Sequence, residues 1–222
     1  MNAMILAASE GVRMRPLTLD RPKPLLDVGG RPMIDWLLLG LARAGVRRVV
    51  INTHYLATRI ESHVGDGETF GLEVVYSREP DLLETAGGIA KALPELGTAP
   101  FIVVAGDIFT DFDFSSLPGE LGGAAGHLVM VDNPLHHPRG DFALMPDGRL
   151  ALDGDNRLTF SGIALYDPAF FNGVRSDAAT RLRVLFDAGI ARGELTGEYF
   201  DGQWSDVGTP ERLSALNARL AT

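Results

Sequence analysis

The 222-residue sequence has no cysteine, and Lys23 and Lys91 are its only lysines. Without cysteine there is no disulfide, no thiolate metal centre and no cysteine nucleophile. No apolar run approaches the ~20 residues of a helical membrane span. The first apolar stretch, AMILAA at 3–8, is shorter than a signal-peptide core and continues into arginine-rich sequence. A basic surplus is also missing: 29 acids face 20 bases, for a net charge of −9. Nucleic acids and anionic membranes select the opposite balance, so neither is an expected partner. A small anion needs only a local positive pocket and is not excluded. The expectation is a soluble, cytoplasmic protein.

What is present suits a globular α/β chain, at 45% hydrophobic and 22% charged residues. AMILAA (3–8), RRVVIN (47–52), LEVVYS (72–77) and FIVVAGD (101–107) read as buried strands. Between them MIDWLLLGLARAG (33–45), LATRIESHV (56–64) and AGGIAKALPEL (86–96) read as helices. This alternation implies a parallel sheet with helices on both faces, and such sheets bind ligands at the carboxyl ends of their strands. After residue 125 the pattern turns to shorter strands, AGHLVMV, DFALM, RLAL and RLTFSGIALY. A helix near 180–190, a short strand at GQWSDV and a last helix opened by Thr209, Pro210 and Glu211 complete the chain. Neither repeats nor a linker interrupt it, so one domain is expected.

The loop after the first strand is unusual. Arg13, Arg15, Arg21 and Lys23 gather there against a single acid, Asp20, in an otherwise acidic protein. A glycine-containing loop leaving a strand can aim backbone N–H groups at an anion, and arginine forks and a lysine ammonium match phosphate oxygens. The same residues also suit a solvated basic turn stiffened by proline.

The wider stretch LAASEGVRMRPLTLDRPKPLLDVGGRPMI (6–34) resembles the opening signature of the sugar-phosphate nucleotidyltransferases, L-A-A-G-x-G-x-R-[ML]-x-P-L-T followed by P-K-P. ETAGGIAKAL (84–93), AGD (105–107) and WSDVGTPERL (204–213) follow in the family's order, so the resemblance spans nearly the whole chain. It implies a three-layer, Rossmann-like α/β fold around a mostly parallel mixed sheet. Residues 1–124 would form a nucleotide-binding half and 125–222 a smaller, β-rich sugar-binding half. The short length, GDF at 140–142 and TFSGIALY narrow the resemblance to compact bacterial uridylyltransferases of cell-wall recycling. UTP and N-acetylmuramate 1-phosphate are then the implied substrates, Mg2+ the implied cofactor, and a monomer or small homo-oligomer the implied state.

Carried over residue by residue, the loop backbone at Ala7, Ala8, Ser9, Gly11 and Val12 would line the nucleotide. Arg13 would grip the departing pyrophosphate, and Lys23 would meet the α-phosphate or the incoming sugar phosphate. Asp107 and Asp206 match the family's metal-binding acids, although either alone could equally close a turn after its strand. Glu84, Thr85 and Gly87 resemble the sugar-binding segment, with Gly88 beside the nucleotide; the same residues would also serve as a plain helix start. Ala105, Asp141, Asn156 and Gly162 fall where further sugar contacts arise. Asn52, His54 and Glu79 would border the nucleotide, and Trp204 reads as core packing.

Ser9 stands where the family usually has glycine, which adds a Cβ at a close backbone approach. The lactyl carboxylate of muramate calls for a cation, for which HHPRGD offers His136, His137 and Arg139. Three rival activities keep the reaction and change the substrate: mannose-1-phosphate guanylyltransferase, glucose-1-phosphate thymidylyl- or uridylyltransferase, and phosphocholine cytidylyltransferase. A non-catalytic, nucleotide-sensing relative is a rival of another class.

Overall fold

A computed structural model describes residues 1–221. Its strands and helices are β1 (Ala3–Leu6), β2 (Asp27–Val28), β3 (Arg31–Pro32), α1 (Met33–Arg43), β4 (Arg48–Thr53) and α2 (Ala57–Val64). Next come β5 (Glu73–Arg78), α3 (Glu84–Leu96), β6 (Phe101–Ala105), β7 (Ile108–Thr110), β8 (Gly126–Val131), β9 (Phe142–Leu144) and β10 (Leu150–Ala151). The chain ends with β11 (Arg157–Tyr166), α4 (Leu182–Ala191), β12 (Leu195–Tyr199), β13 (Trp204–Asp206) and α5 (Pro210–Leu220).

The centre of the main sheet is the parallel run β6-β1-β4-β5, in which Leu6 pairs with both Asn52 and Ala105. β11 adds antiparallel to β6 and carries β8, which pairs in parallel with β12; the β9-β10 hairpin attaches to the start of β11. The β-rich second half therefore continues the first half's sheet.

β6, β1 and β4 are buried on both faces, which is why they read as unbroken apolar runs, whereas β5 ends the sheet and exposes Glu73 and Arg78. In β1, Ala3 and Ile5 face a core with Leu37, Leu38 and Leu41 of α1 and Ile60 of α2. Met4 between them faces the other core, with Ile89 of α3 and Phe186 and Ile190 of α4. Two helices thus cover each face. A third cluster, with Met14, Val28, Met33, Phe109, Val207 and Leu213, ties the basic loop to α5.

Several elements depart from the sequence expectations, among them the short β2–β3 hairpin and β12, for which no strand is expected. The third helix starts two residues earlier than expected, at Glu84, whose φ of 57° lies in the left-handed region. Leu83 and Thr180 fix that start: Thr180 N–H donates to Leu83, and the Thr180 carbonyl accepts from Ala86 and Gly87. β7 was not anticipated at all. It follows β6 after a two-residue turn and pairs with β13, setting Asp206 opposite Ile108.

Candidate functional site

The carboxyl ends of β1, β4 and β6 lie side by side, and a groove opens above them. One cavity of about 530 Å³ is lined by residues 6–14, Lys23, Pro24, Asn52, Glu79, Leu82, Glu84, Thr85, residues 105–107 and Gly208. A second, of about 510 Å³, shares Leu6, Thr85, Ala105 and Asp107 with the first and extends under β11. Asp107 thus stands where the two cavities meet.

The loop after β1 is held from below. Ala7 N–H donates to Oδ1 of Asn52 at 2.8 Å, and Asn52 Nδ2 donates to Oε1 of Glu79 at 2.7 Å. The other Glu79 oxygen accepts from Leu83 N–H at 3.1 Å, and both side chains are buried. This chain links the ends of β1, β4 and β5 to the start of α3. Buried polar groups require such pairing, so the network specifies the loop's origin.

Gly11 then turns the loop with a φ of 61°, and its carbonyl accepts from the buried Thr18 hydroxyl at 2.8 Å. Ser9 is not among the non-glycine residues of positive φ, which in the described chain are Leu56 and Glu84. Its extra Cβ is therefore accommodated without left-handed strain. The Ser9 hydroxyl accepts from Gly11 N–H at 3.3 Å, occupying a loop donor that the phosphate reading would direct at the nucleotide.

Lys23 is buried, and its ammonium lies 2.5 Å from Oδ2 of Asp107, whose side chain is 39% exposed. Arg13 is exposed on the wall of the first cavity. Asp206 reaches Asp107 through the β7–β13 pairing, in which Val207 N–H donates to the Asp107 carbonyl at 2.8 Å. Asp206 is ion-paired with Arg212 and lies 3.1 Å from His136 Nε2. Asp107 lies 84 residues from Lys23 in sequence and still further from Asp206, and only the fold joins them.

Under β11 the pairing register with β8 shifts between Phe160 and Ala164, a bulge that carries Gly162 at a φ of 85° against Ala105. Such irregularities re-aim backbone beside a cavity. Asp141 also lines this region, with its carboxylate accepting from Phe160 N–H at 2.9 Å and facing His137 at 3.2 Å. Trp204 packs on the core as expected and donates to the Ser161 carbonyl at 2.9 Å, while one side borders the second cavity.

A model of the nucleotidyl transferase family matches residues 2–121. The chain is 46% identical to N-acetylmuramate alpha-1-phosphate uridylyltransferase of Neisseria meningitidis serogroup B, over 98% of this chain and 97% of that one. The chain belongs to the nucleotidyl transferase family. This nucleotidyltransferase is also 33% identical to the enzyme of the same name from Caulobacter vibrioides, over 99% of its own length and 96% of the relative's. In fold it matches a Bacillus anthracis protein described as a glucose-1-phosphate thymidylyltransferase and crystallised with sucrose. The TM-score is 0.86 at 22% identity, over 99% of this chain and 95% of that one.

Four expected site residues of the nucleotidyltransferase do not line the groove. A Cβ on Gly88 would stand 2.6 Å from Oε1 of Glu79, so this glycine makes room for the buried network. Gly87 likewise clears the Ala178 carbonyl, which a Cβ would approach to 2.5 Å. The His54 ring meets the Glu79 carbonyl at 2.8 Å, and exposed Asn156 leans on the Leu144 carbonyl at 3.4 Å. Arg139 is exposed and outside the second cavity, whereas His136, His137 and Arg183 line it. Sequence reasoning missed Arg183 and Leu82 because an arginine or leucine at a helix or loop start carries no motif. It also missed that each of the two acids already holds a cation.

Proposed function

We propose that this chain transfers a uridylyl group from UTP to N-acetyl-α-muramate 1-phosphate, giving UDP-N-acetylmuramate and pyrophosphate. The observation that carries the reading is the near end-to-end identity to the Neisseria enzyme of that name, 46% over 98% of the chain. The groove supports it, since two cavities that meet at Asp107 suit two phosphorylated substrates that must touch. In this reading the protein works in the cytoplasm and returns a cell-wall sugar to peptidoglycan synthesis.

The first cavity takes UTP. The backbone of Ala7, Ala8, Ser9, Gly11 and Val12 surrounds the nucleotide, and Arg13 binds the β- and γ-phosphates. Lys23, at the junction, meets the α-phosphate. The second cavity takes the sugar phosphate, with Thr85, Ala105, Asp141 and Gly162 around the sugar and Glu84 reaching it from the wall of the first cavity. An oxygen of the sugar phosphate forms a bond to the α-phosphorus while the bond to the β-phosphate bridging oxygen breaks. Pyrophosphate leaves, and no enzyme side chain becomes covalently attached. Holding the two substrates in line and stabilising charge on the leaving group is the enzyme's contribution.

The acids beside the groove suit magnesium. Asp107, in the turn before β7, and Asp206, at the end of β13, offer two partly exposed carboxylates that both line the second cavity, and no group of three or more His, Asp or Glu placed to hold a metal ion occurs among the described residues. One or two carboxylates completed by phosphate oxygens and water is the donor set magnesium accepts, so the pair fits an ion held jointly with UTP. Bound there, the ion supplies neutralisation of triphosphate charge.

The test is a matrix of four nucleoside triphosphates against a panel of sugar 1-phosphates, scored by pyrophosphate release with and without magnesium. UTP with the muramate phosphate should exceed every other combination. A maximum with GTP and mannose 1-phosphate would overturn the assignment and keep the reaction type. Nucleotide binding without stimulation by any sugar phosphate would leave a sensor instead.

A further inference from the structure

Arg212 reaches Asp206 from the side away from the substrate groove. It lines a third cavity of about 350 Å³, together with Asp132 and Asp201, and neither of the two cavities that form the groove. Its Nη1 donates to Oδ2 of Asp206 and lies 2.7 Å from His136 Nε2, which itself is 3.1 Å from the other Asp206 oxygen. Only 24% of the Arg212 side chain and 30% of the Asp206 side chain are exposed, so water screens the pair incompletely.

The segment Trp204–Leu213 builds this contact. Thr209 caps α5 by accepting from Arg212 N–H, which sets Arg212 in the first turn, and the side chain folds back over Gly208. A Cβ on Gly208 would fall 2.8 Å from the centre of the guanidinium, so the glycine leaves the space that the ion pair uses.

We propose that Arg212 is a positioning residue acting through Asp206: it neutralises and aims this carboxylate in the free protein, and so holds back a divalent cation until nucleotide arrives. This rests on the reading of Asp206 as a metal acid. A guanidinium beside the carboxylate repels an incoming dication and competes for the same oxygen lone pairs. Triphosphate reverses the balance by adding negative charge and its own oxygens. The third cavity then offers the displaced guanidinium room and the carboxylates of Asp132 and Asp201 as partners. Lys23 holds Asp107 in the same manner, but from inside the groove, where its replacement also removes a phosphate contact. Arg212 separates the two effects.

Binding of Mn2+ to the full chain, followed by electron paramagnetic resonance with and without UTP, tests the proposal. Arg212→Gln should bind Mn2+ about tenfold (about 1.4 kcal/mol) more tightly than wild type when nucleotide is absent. Arg212→Lys, which keeps the charge, should stay near wild type. A purely structural role for Arg212 would act in the opposite direction, because a misplaced Asp206 loosens the ion. Gly208→Ala keeps the arginine and displaces its head, so it should tighten Mn2+ in the same direction by a smaller factor. Nucleotide-free binding by folded Arg212→Gln that is unchanged or weaker overturns the proposal. Should that variant fail to fold, unchanged or weaker binding by Gly208→Ala does so. Wild type that takes no Mn2+ even with UTP removes the metal role of Asp206 and this proposal with it. If wild type binds Mn2+ with UTP while Arg212→Gln gains nothing, only the role of Arg212 is lost.

Discussion

Replacing Asn52 by alanine probes how the nucleotide loop is anchored. The change removes the acceptor for Ala7 N–H and one donor to the Glu79 carboxylate, at a residue only 4% exposed. Leaving a buried donor unpaired costs about 1–3 kcal/mol, and a hydrogen bond to a charged group is worth about 1.5–3 kcal/mol. Both losses arise from one side chain and overlap, so roughly 3 kcal/mol is expected. At about 2–4 °C per kcal/mol for a chain of this length, Tm should fall by about 6–12 °C. Circular dichroism melts supply the measurement, and a cycle with Glu79→Gln should show coupling, because an amide cannot accept at both oxygen positions that Glu79 uses. The KM for UTP should rise more than kcat falls, since the loop loses its seat and the reacting groups stay. A Tm drop of less than about 2 °C would refute the account of Asn52 as the anchor of the loop.

Ser9→Gly frees Gly11 N–H from the Ser9 hydroxyl, and kcat/KM for UTP should stay equal or improve; a large loss would show that the serine itself serves the nucleotide. Lys23→Met removes the cation at the junction of the two cavities, and pyrophosphate release at saturating substrates should fall by about 10²–10³-fold. Near-normal turnover in that variant would exclude Lys23 from the chemistry. Hydrogen bonds from Arg78 hold the Glu61 carboxyl below its usual range, and those from Ser115 do the same for Asp113. The folded chain then binds fewer protons than the unfolded one, so this stability is complete above the ordinary carboxylate range and is lost as pH falls through it. Melts from about pH 6 down to about pH 3 should show a falling Tm, with a smaller fall in Glu61→Gln.

Much of the fold was legible because strands buried on both faces stand out as unbroken apolar runs and helices buried on one face carry a 3.6-residue period. LEVVYS and the MIDWLLLGLARAG helix fell close to where they form. β7 was not legible: three residues after a tight turn have no period to read, and Ile108–Thr110 becomes a strand only because β13 lies beside it. Among site residues, Lys23, Asp107 and Asp206 were visible through their motif settings; Lys23 meets Asp107, and Asp206 shares the lining of the second cavity with Asp107. Gly87 and Gly88 show the limit of such reading. A glycine is required wherever backbone meets something closely, and at these positions the neighbours are Ala178 and Glu79.

By itself the sequence determined the alternation of buried strands and amphipathic helices, the positive loop after the first strand and the acids that end later strands, since all three are local patterns of residue type. The tertiary structure alone decided which acid meets which cation. Lys23 with Asp107, and Arg212 with Asp206, are pairings set by strand order and by how a helix start folds back. Electrostatic partnership depends on distance through space, and distance along the chain does not encode it.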